Sequence, residues 1–186
     1  VSAKYIDHLK NENFNSKNLD LSSIKIITST GSPLAEGSFK YVYENIKQEV
    51  HLASIAGGTD LVGCLVLGNI YSNVYKGEIQ GQSLGIDVDV FTYDGKSTSD
   101  GEKGELVVKQ PFPSMPIKFW GDEDGQKYHK AYFTRFKNIW HHGDFIERTL
   151  NNGFIMRGRS DATLNPGGVR IGTSEIYQQV ENIDFI

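Results

Sequence analysis

Glycine placement is the feature of this sequence that most limits the folds open to it. Glycine accounts for 20 of the 186 residues, well above the average usage of about 7%. The glycines separate short apolar runs, at Gly57-Gly58, Gly77, Gly81, Gly85, Gly101, Gly104, Gly153, Gly158, Gly167-Gly168 and Gly172. Because glycine adopts backbone angles that other residues avoid, this distribution predicts many short strands joined by tight loops.

Composition and charge exclude several classes of protein. Hydrophobic residues make up 38% of the chain and charged residues 23%, as in globular proteins. The net charge of -4 offers no basic excess for nucleic acid, and no apolar run approaches the roughly 20 residues of a membrane span. The single cysteine, Cys64, rules out a disulfide framework and favours a reducing compartment, the cytosol. Composition therefore favours neither a nucleic-acid partner nor a membrane span, and the sequence predicts no protein partner.

The first 70 residues carry the pattern of a parallel α/β unit. A β-branched run at 24–27 and a second run at 49–54 predict two buried strands. Between them, apolar residues recur at helical spacing, at Phe39, Val42, Tyr43 and Ile46. A strand, a helix and a strand of these lengths indicate a βαβ unit with parallel pairing.

Residues 71–160 carry a different, antiparallel pattern. Apolar and polar residues alternate over 86–91, and further strands are predicted at 104–108, 139–148 and 154–159. Asn151-Asn152-Gly153 lies between the last two, as in a tight hairpin. Farther on, Thr173-Ser174-Glu175 is typical of a helix start, with a hydroxyl cap and an early acid.

Three polar loops follow predicted strands, at 31–33, 57–60 and 142–144. Loops at strand ends are where α/β sheets bind ligands. The hydroxyl and carboxylate of Thr59-Asp60 suit a phosphate oxygen and its Mg²⁺. The carboxylate of Asp144 suits a ribose diol, and Arg159 suits a bridge between phosphate and ribose.

Each of these features also has a simpler interpretation. The 57–60 loop is typical of an ordinary turn, Asp144 of a turn acid, and Arg159 of a solvated strand end. His141 and His142 are adjacent, and adjacent strand residues point to opposite faces, so the pattern disfavours a shared metal. Trp120 and Trp140 are both predicted to lie in the core.

In order and spacing, the three loops resemble those of the adenylate-forming superfamily of acyl-CoA synthetases. Two further stretches are similar to the branch that activates acetoacetate with ATP and transfers it to coenzyme A. They are Pro-Phe-Pro-Ser-Met-Pro-Ile at 111–117, followed by Phe119-Trp120, and Gly-Arg-Ser-Asp-Ala-Thr-Leu-Asn-Pro-Gly-Gly-Val-Arg at 158–170. The resemblance runs from about 24 to 180.

The resemblance implies an α/β fold that is part of the adenylate-forming architecture. Residues 1–70 would end the sheet subdomain of the large domain. Residues 71–160 would form its small antiparallel β-barrel subdomain, and residues 161–186 the hinge and truncated start of the C-terminal domain.

Most of the implied roles concern the nucleotide. The loop that packs on adenine is matched by Gly31, Ser32 and Pro33, and the segment along the adenine edge by Ser54, Ile55 and Ala56. Thr59 matches the threonine on the AMP phosphate. Asp60 stands where the family usually has glutamate, the carboxylate that binds Mg²⁺.

Further roles follow from the same resemblance. Asp144 matches the ribose-binding aspartate and Arg159 the arginine beside it. Asp161 matches the hinge residue, whereas Gly168 and Arg170 match the loop that later meets the CoA arm. We therefore expect Thr59, Asp60 and Arg170 to serve catalysis.

Gly57 and Gly58 are expected to line the substrate pocket. In the acetate-activating relatives a tryptophan closes the acyl pocket at the position of Gly57. Replacing an indole by glycine would open space for a longer acyl group, which favours acetoacetate over acetate.

Two family features have no counterpart in the sequence: the upstream phosphate loop and the C-terminal catalytic lysine. We therefore expect a fragment of the ligase, and predict no acetoacetyl-CoA synthesis by this chain alone. Two alternatives stay open, a non-catalytic nucleotide-binding remnant and an amino-acid adenylation domain. The latter is disfavoured by the stretch at 111–117.

Overall fold

The structure is a computed structural model that describes residues 1–164, 166 and 170–180. Its helices are α1 (Ala3–Asn11), α2 (Glu36–Tyr41), α3 (Gln126–Tyr132) and α4 (Thr173–Val180). Its strands are β1 (Ile26–Ser29), β2 (His51–Ser54), β3 (Ala56–Gly58), β4 (Gly63–Leu67), β5 (Gly81–Gln82), β6 (Val88–Phe91), β7 (Lys103–Val108), β8 (Trp140–Arg148) and β9 (Phe154–Arg159). A π-helical segment, Val42–Ile46, continues α2, and a 3-10 turn, Ser160–Ala162, follows β9.

The N-terminal part contains the predicted parallel unit. Strands β1 and β2 pair in parallel, and α2 lies between them in the chain. Phe39 and Val42 are buried in one core cluster with Leu52, which confirms the predicted apolar helix face. The prediction of a fully buried first strand is wrong for Ile26, which is 55% exposed. Ile27 packs against the core cluster, and its neighbour Ile26 therefore points the other way.

Two antiparallel sheets follow β2 in the chain, and the one formed by β6 to β9 confirms the antiparallel pattern predicted within 86–159. One sheet has the order β3-β4-β5 and the other β6-β7-β8-β9. The hairpin between β8 and β9 turns at Asn152, whose φ is 60°. A second core cluster extends from Leu61 to Phe154 in sequence. The division of the chain at residues 70 and 160 stays a prediction.

The alternation predicted around β6 is wrong in one respect. All four residues of the strand are buried, including Asp89, which is 4% exposed. Its carboxylate accepts hydrogen bonds from Arg148 Nη2 at 2.6 Å and from Ser97 Oγ at 2.7 Å. These partners cover the polar face of the strand, and burial of the charge is tolerated because it is paired.

Strands β3 to β5 and helix α3 were not anticipated from the sequence. The segment at 57–58, expected to be a turn, is the end of β3 and pairs with β4. None of the residues of helix α3 is fully buried. The sequence of the helix therefore lacks the strong apolar periodicity that would have predicted it. Its start is instead fixed by Asp122, whose carboxylate accepts the backbone N–H groups of Lys127 at 3.0 Å and Tyr128 at 2.8 Å.

The two tryptophans differ in environment. Trp140 is 1% exposed and lies in the second core cluster, as predicted. The core prediction for Trp120 is wrong, because its side chain is fully exposed in an irregular segment before α3. Among residues 1–164, 166 and 170–180, no helix is long and apolar enough to cross a lipid bilayer.

Candidate nucleotide site

Two adjoining cavities gather most of the residues singled out in the sequence. The larger, of about 600 Å³, is lined among others by Gly31, Ser32, Pro33, Ser54, Ile55, Ala56, Gly57, Gly58, Thr59, Asp144 and Arg159. The smaller, of about 430 Å³, shares Gly57, Gly58, Thr59 and Arg159 and adds Asp60 and Asp161. The tertiary structure therefore brings together loops that are more than 100 residues apart.

The parallel pairing of β1 and β2 explains one wall of the larger cavity. Ser29 and Ser54 end the two strands and lie opposite one another in the register. The loops that follow both strands therefore emerge at the same edge of the sheet. Gly31 has a φ of 87°, a left-handed conformation that favours glycine.

The opposite wall comes from neighbouring positions of β8 and β9. Asp144 and Arg159 are cross-strand partners, and Arg159 Nη1 lies 3.2 Å from Asp144 Oδ1. The same nitrogen donates to the carbonyl of His142 at 3.2 Å. Gly143 has a φ of 82°, and a Cβ there would lie 2.6 Å from Arg159 Nη2. The left-handed backbone at position 143 therefore favours glycine, and a side chain there would displace the Arg159 guanidinium.

Burial and charge act in opposite directions on Asp144. Burial raises the pKa of its carboxyl group, and the nearby Arg159 guanidinium opposes that rise without cancelling it. The carboxylate is thus held in a partly desolvated wall with one cation beside it. Such a group is suited to accept hydrogen bonds from a diol.

Gly57 and Gly58 are constrained by their neighbours in the sheet. A Cβ on Gly57 would lie 2.0 Å from the carbonyl oxygen of Gly63 and 2.6 Å from Cys64 Cα. A Cβ on Gly58 would lie 2.9 Å from His142 Cε1. The close approach of β3 to β4 therefore demands glycine at position 57, independently of any acyl group bound nearby.

Asp60 has a partner that the sequence did not indicate. The hydroxyl of Tyr132 donates a hydrogen bond to Asp60 Oδ2. Burial raises the pKa of Tyr132, and the hydrogen bond to Asp60 raises it further, so the phenol stays a donor. The only sequence signal was the aromatic spacing of Tyr128 and Tyr132 on α3, which is equally typical of core packing.

His142 is held as a neutral imidazole. Its Nδ1 lies 3.3 Å from Trp140 Nε1, an obligate donor, and its Nε2 lies 3.2 Å from the carbonyl oxygen of Gly57. This arrangement requires the proton on Nε2. Burial also lowers the pKa of His142. His141 points to the other face, where its Nε2 lies 3.0 Å from Glu105 Oε2.

A metal at this site would have few protein ligands. Within the described part of the chain, no three His, Cys, Asp or Glu side chains are grouped to hold an ion. Asp60 offers a single exposed carboxylate beside Thr59. That fits Mg²⁺, which commonly takes one or two carboxylates and completes its shell with phosphate oxygens and water.

The residues predicted to be functional after β9 lie in different surroundings from those of the loops described above. Arg170 lines neither cavity and instead donates from Nη1 to Glu105 Oε1 at 2.7 Å and from Nη2 to the Ser160 carbonyl at 2.9 Å. Asp161 is largely exposed, with its carboxylate 3.7 Å from Arg159 Nε. Gly168 lies outside the described residues.

Along its whole length, the chain is similar to acetoacetyl-CoA synthetases. No protein-family model matches the chain. The acetoacetyl-coenzyme A synthetase of Rhizobium meliloti (strain 1021) is 59% identical over 187 residues, covering 100% of this chain and 29% of that protein. The acetoacetyl-CoA synthetase of Gallus gallus is 47% identical over 188 residues, covering 100% of this chain and 28% of that protein.

Comparison with solved structures indicates the same kind of similarity. The acetoacetyl-CoA synthetase from Streptomyces lividans matches 98% of this chain and 28% of its own, with a TM-score of 0.88 and 38% identity. An anthranilate CoA ligase, AuaEII, matches 89% of this chain with a TM-score of 0.72 and 18% identity, and shares the fold. The chain is thus homologous along its whole length to acetoacetyl-CoA synthetases and has part of the acyl-CoA synthetase fold. It spans under three tenths of the length of these synthetases.

Proposed function

We propose that this chain forms the AMP-binding part of an ATP-dependent acetoacetate–CoA ligase. The observation that carries the proposal is the convergence of three loops on one pair of cavities. An adenine-type loop, a hydroxyl–carboxylate pair and a ribose-type carboxylate line these cavities together. Homology to acetoacetyl-CoA synthetases over the whole chain supports the same assignment.

The order of these groups suits one nucleotide lying across the larger cavity. The base would pack on Gly31–Pro33 and along Ser54–Ala56. Asp144 would accept the ribose hydroxyls, with Arg159 beside it able to reach both sugar and phosphate. Thr59, which lines both cavities, would donate its hydroxyl to the α-phosphate.

Asp60 would hold Mg²⁺, which neutralises phosphate charge when bound. In the first step the acetoacetate carboxylate attacks the α-phosphorus of ATP, forming acetoacetyl-AMP and releasing pyrophosphate. In the second the CoA thiolate attacks the acyl carbon and AMP leaves. In both steps Thr59, Asp144 and Arg159 would orient the nucleotide, because positioning and electrostatic stabilisation are the main contributions a protein makes to such transfers.

The acyl group would lie against Gly57 and Gly58, at the junction of the two cavities. Glycine at both positions leaves this wall without side chains. Acetoacetate is the acid named for the full-length relatives. CoA is the second substrate implied by them, and Arg170 would meet its arm only after leaving Glu105. Residence in the cytosol is proposed from cysteine usage.

Binding of AMP to the 186-residue chain tests the nucleotide site directly. We expect saturable binding by isothermal titration calorimetry, weakened about tenfold or more by Asp144→Asn, since the neutral amide loses charge-assisted hydrogen bonds to the ribose. Asp100→Asn is the matched control, because Asp100 is exposed and remote from both cavities. Equal affinity for AMP in the parent and Asp144→Asn would contradict the assignment.

A further inference from the structure

Two neighbouring side chains, His142 and Tyr132, contact the two ends of the segment Gly57–Asp60. At one end, His142 Nε2 lies 3.2 Å from the carbonyl oxygen of Gly57. At the other end, the Tyr132 hydroxyl donates to Asp60 Oδ2. Trp140 lies between them and joins the two, and we call Tyr132, Trp140 and His142 the aromatic clamp.

The members of the aromatic clamp are themselves held in place. The rings of Tyr132 and Trp140 stack with centroids 3.6 Å apart and an interplanar angle of 12°. Trp140 Nε1 lies 3.3 Å from His142 Nδ1. Trp140 is 1% exposed and meets Phe112 edge-on at 5.5 Å within the core. Because Trp140 is packed in the core, the side chains of Tyr132 and His142 are held in fixed positions against Asp60 and Gly57.

Gly57 and Gly58 are held by their pairing with β4, whereas Thr59 and Asp60 lie beyond that pairing. Thr59 and Asp60 are exposed, and the following turn closes through a backbone hydrogen bond from Val62 to the Thr59 carbonyl at 3.1 Å. An exposed aspartate would otherwise sample several rotamers. With Oδ2 occupied by Tyr132, the carboxylate is fixed in one orientation and Oδ1 remains for another partner.

We propose that the aromatic clamp is a positioning unit that holds Thr59 and Asp60 in their phosphate- and cation-binding geometry. The proposal rests on the function proposed above for these two residues. The clamp residues act through the segment and not by contact with the reacting atoms. Tyr132 is the member with the most direct effect, because its hydroxyl touches Asp60.

The first test needs no ligand. Tyr132→Phe keeps the ring stacked on Trp140 but removes the hydroxyl, so the fold is retained. We expect backbone amide hydrogen exchange at 58–60, measured by NMR on the 186-residue chain, to accelerate roughly fivefold, as loss of one hydrogen bond predicts. Tyr71→Phe, which removes a hydroxyl from an 85% exposed side chain, is the control and should leave these amides unchanged.

The second test uses AMP as the probe, with and without Mg²⁺. Tyr132→Phe should reduce the Mg²⁺-dependent gain in AMP affinity roughly fivefold and leave the Mg²⁺-independent affinity unchanged. In an Asp60→Asn background the same substitution should have no further effect, because Tyr132 acts through that carboxylate. A merely structural role would reduce AMP affinity equally with and without Mg²⁺.

The outcomes separate this proposal from the function on which it rests. Unchanged exchange at 58–60 in Tyr132→Phe overturns the clamp. So does faster exchange combined with an unchanged Mg²⁺-dependent gain in affinity. If exchange at 58–60 is faster in Tyr132→Phe but the parent chain binds no AMP, the clamp is supported as a structural unit and the proposed nucleotide site is overturned.

Discussion

Glu105 and Arg170 form an ion pair, with 2.7 Å between Oε1 and Nη1, that joins the segment after the 3-10 turn to the centre of β7. The side chain of Glu105 is 3% exposed and also accepts from Ser160 Oγ and pairs with His141. Burial raises the pKa of Glu105, but the hydrogen bonds from His141, Arg170 and Ser160 outweigh it and hold the pKa at about 2. The carboxylate is therefore a charged anchor for three elements.

We predict that Glu105→Gln lowers the free energy of unfolding by about 3 kcal/mol at pH 7, because it breaks a buried charge cluster and leaves Arg170 without its anion. The folded pKa of Glu105 lies below the unfolded value near 4.5. Its contribution is therefore complete above pH 4.5 and is lost as the pH falls towards 2. Urea unfolding at several pH values would measure this.

The matched control for that substitution is Glu123→Gln, since Glu123 is an exposed glutamate in the loop before α3. It should change the free energy of unfolding by no more than about 0.5 kcal/mol. A loss of stability in Glu105→Gln that is the same at pH 3 and pH 7 would show that packing, and not the charge, is responsible.

Gly57→Ala should destabilise the fold by about 1–3 kcal/mol, because its Cβ would overlap the Gly63 carbonyl oxygen 2.0 Å away. Gly37→Ala is the contrasting control. It lies in α2, where a Cβ meets only the flexible end of Lys10, and should be neutral or stabilising by about 0.5–1 kcal/mol. Thermal unfolding of both variants would compare them, and a stable Gly57→Ala would mean that β4 can shift.

His142 should be neutral and protonated on Nε2 at pH 6, where an ordinary histidine is mostly charged. The reason is that burial lowers its pKa and Trp140 already donates to Nδ1. Nitrogen NMR shifts of the imidazole would identify the tautomer, with His142→Asn used to assign the signal. An imidazolium signal at pH 6 would contradict the interpretation that a neutral His142 ring donates a hydrogen bond to the Gly57 carbonyl oxygen.

The affinity for AMP should fall as the pH drops through the pKa of Asp144, which burial raises above its ordinary value of 3.8. Arg159 opposes that rise, so Arg159→Gln should move the loss of affinity to a higher pH. Lys40→Gln is the control, since it removes one positive charge from an exposed side chain on α2. Calorimetric titrations from pH 4 to 7 would reveal the shift, and identical profiles in the parent and Arg159→Gln would argue against it.

Local patterns were sufficient for much of the fold. The β-branched runs around Ile27 and Leu52, with a helical apolar period between them, predict the parallel unit because burial follows residue spacing. The Asn-Gly turn at 152–153 predicts the hairpin of β8 and β9 because few residues adopt a positive φ. The three polar loops also contribute residues to the lining of both cavities.

The partners of those residues depend on contacts distant in sequence. Tyr132 meets Asp60 across 72 positions, and no local pattern records such a pairing. The same holds for Arg170, whose guanidinium pairs with Glu105 and lines neither of the two cavities. Glycine at position 57 was visible in the sequence, but its cause, the approach of β4, was not. Hydrophobic periodicity and turn formation depend on residues a few positions apart, so they can be recognised in the sequence. The hydrogen bonds and ion pairs of the site join residues that are distant in sequence, so they exist only once the sheets have packed.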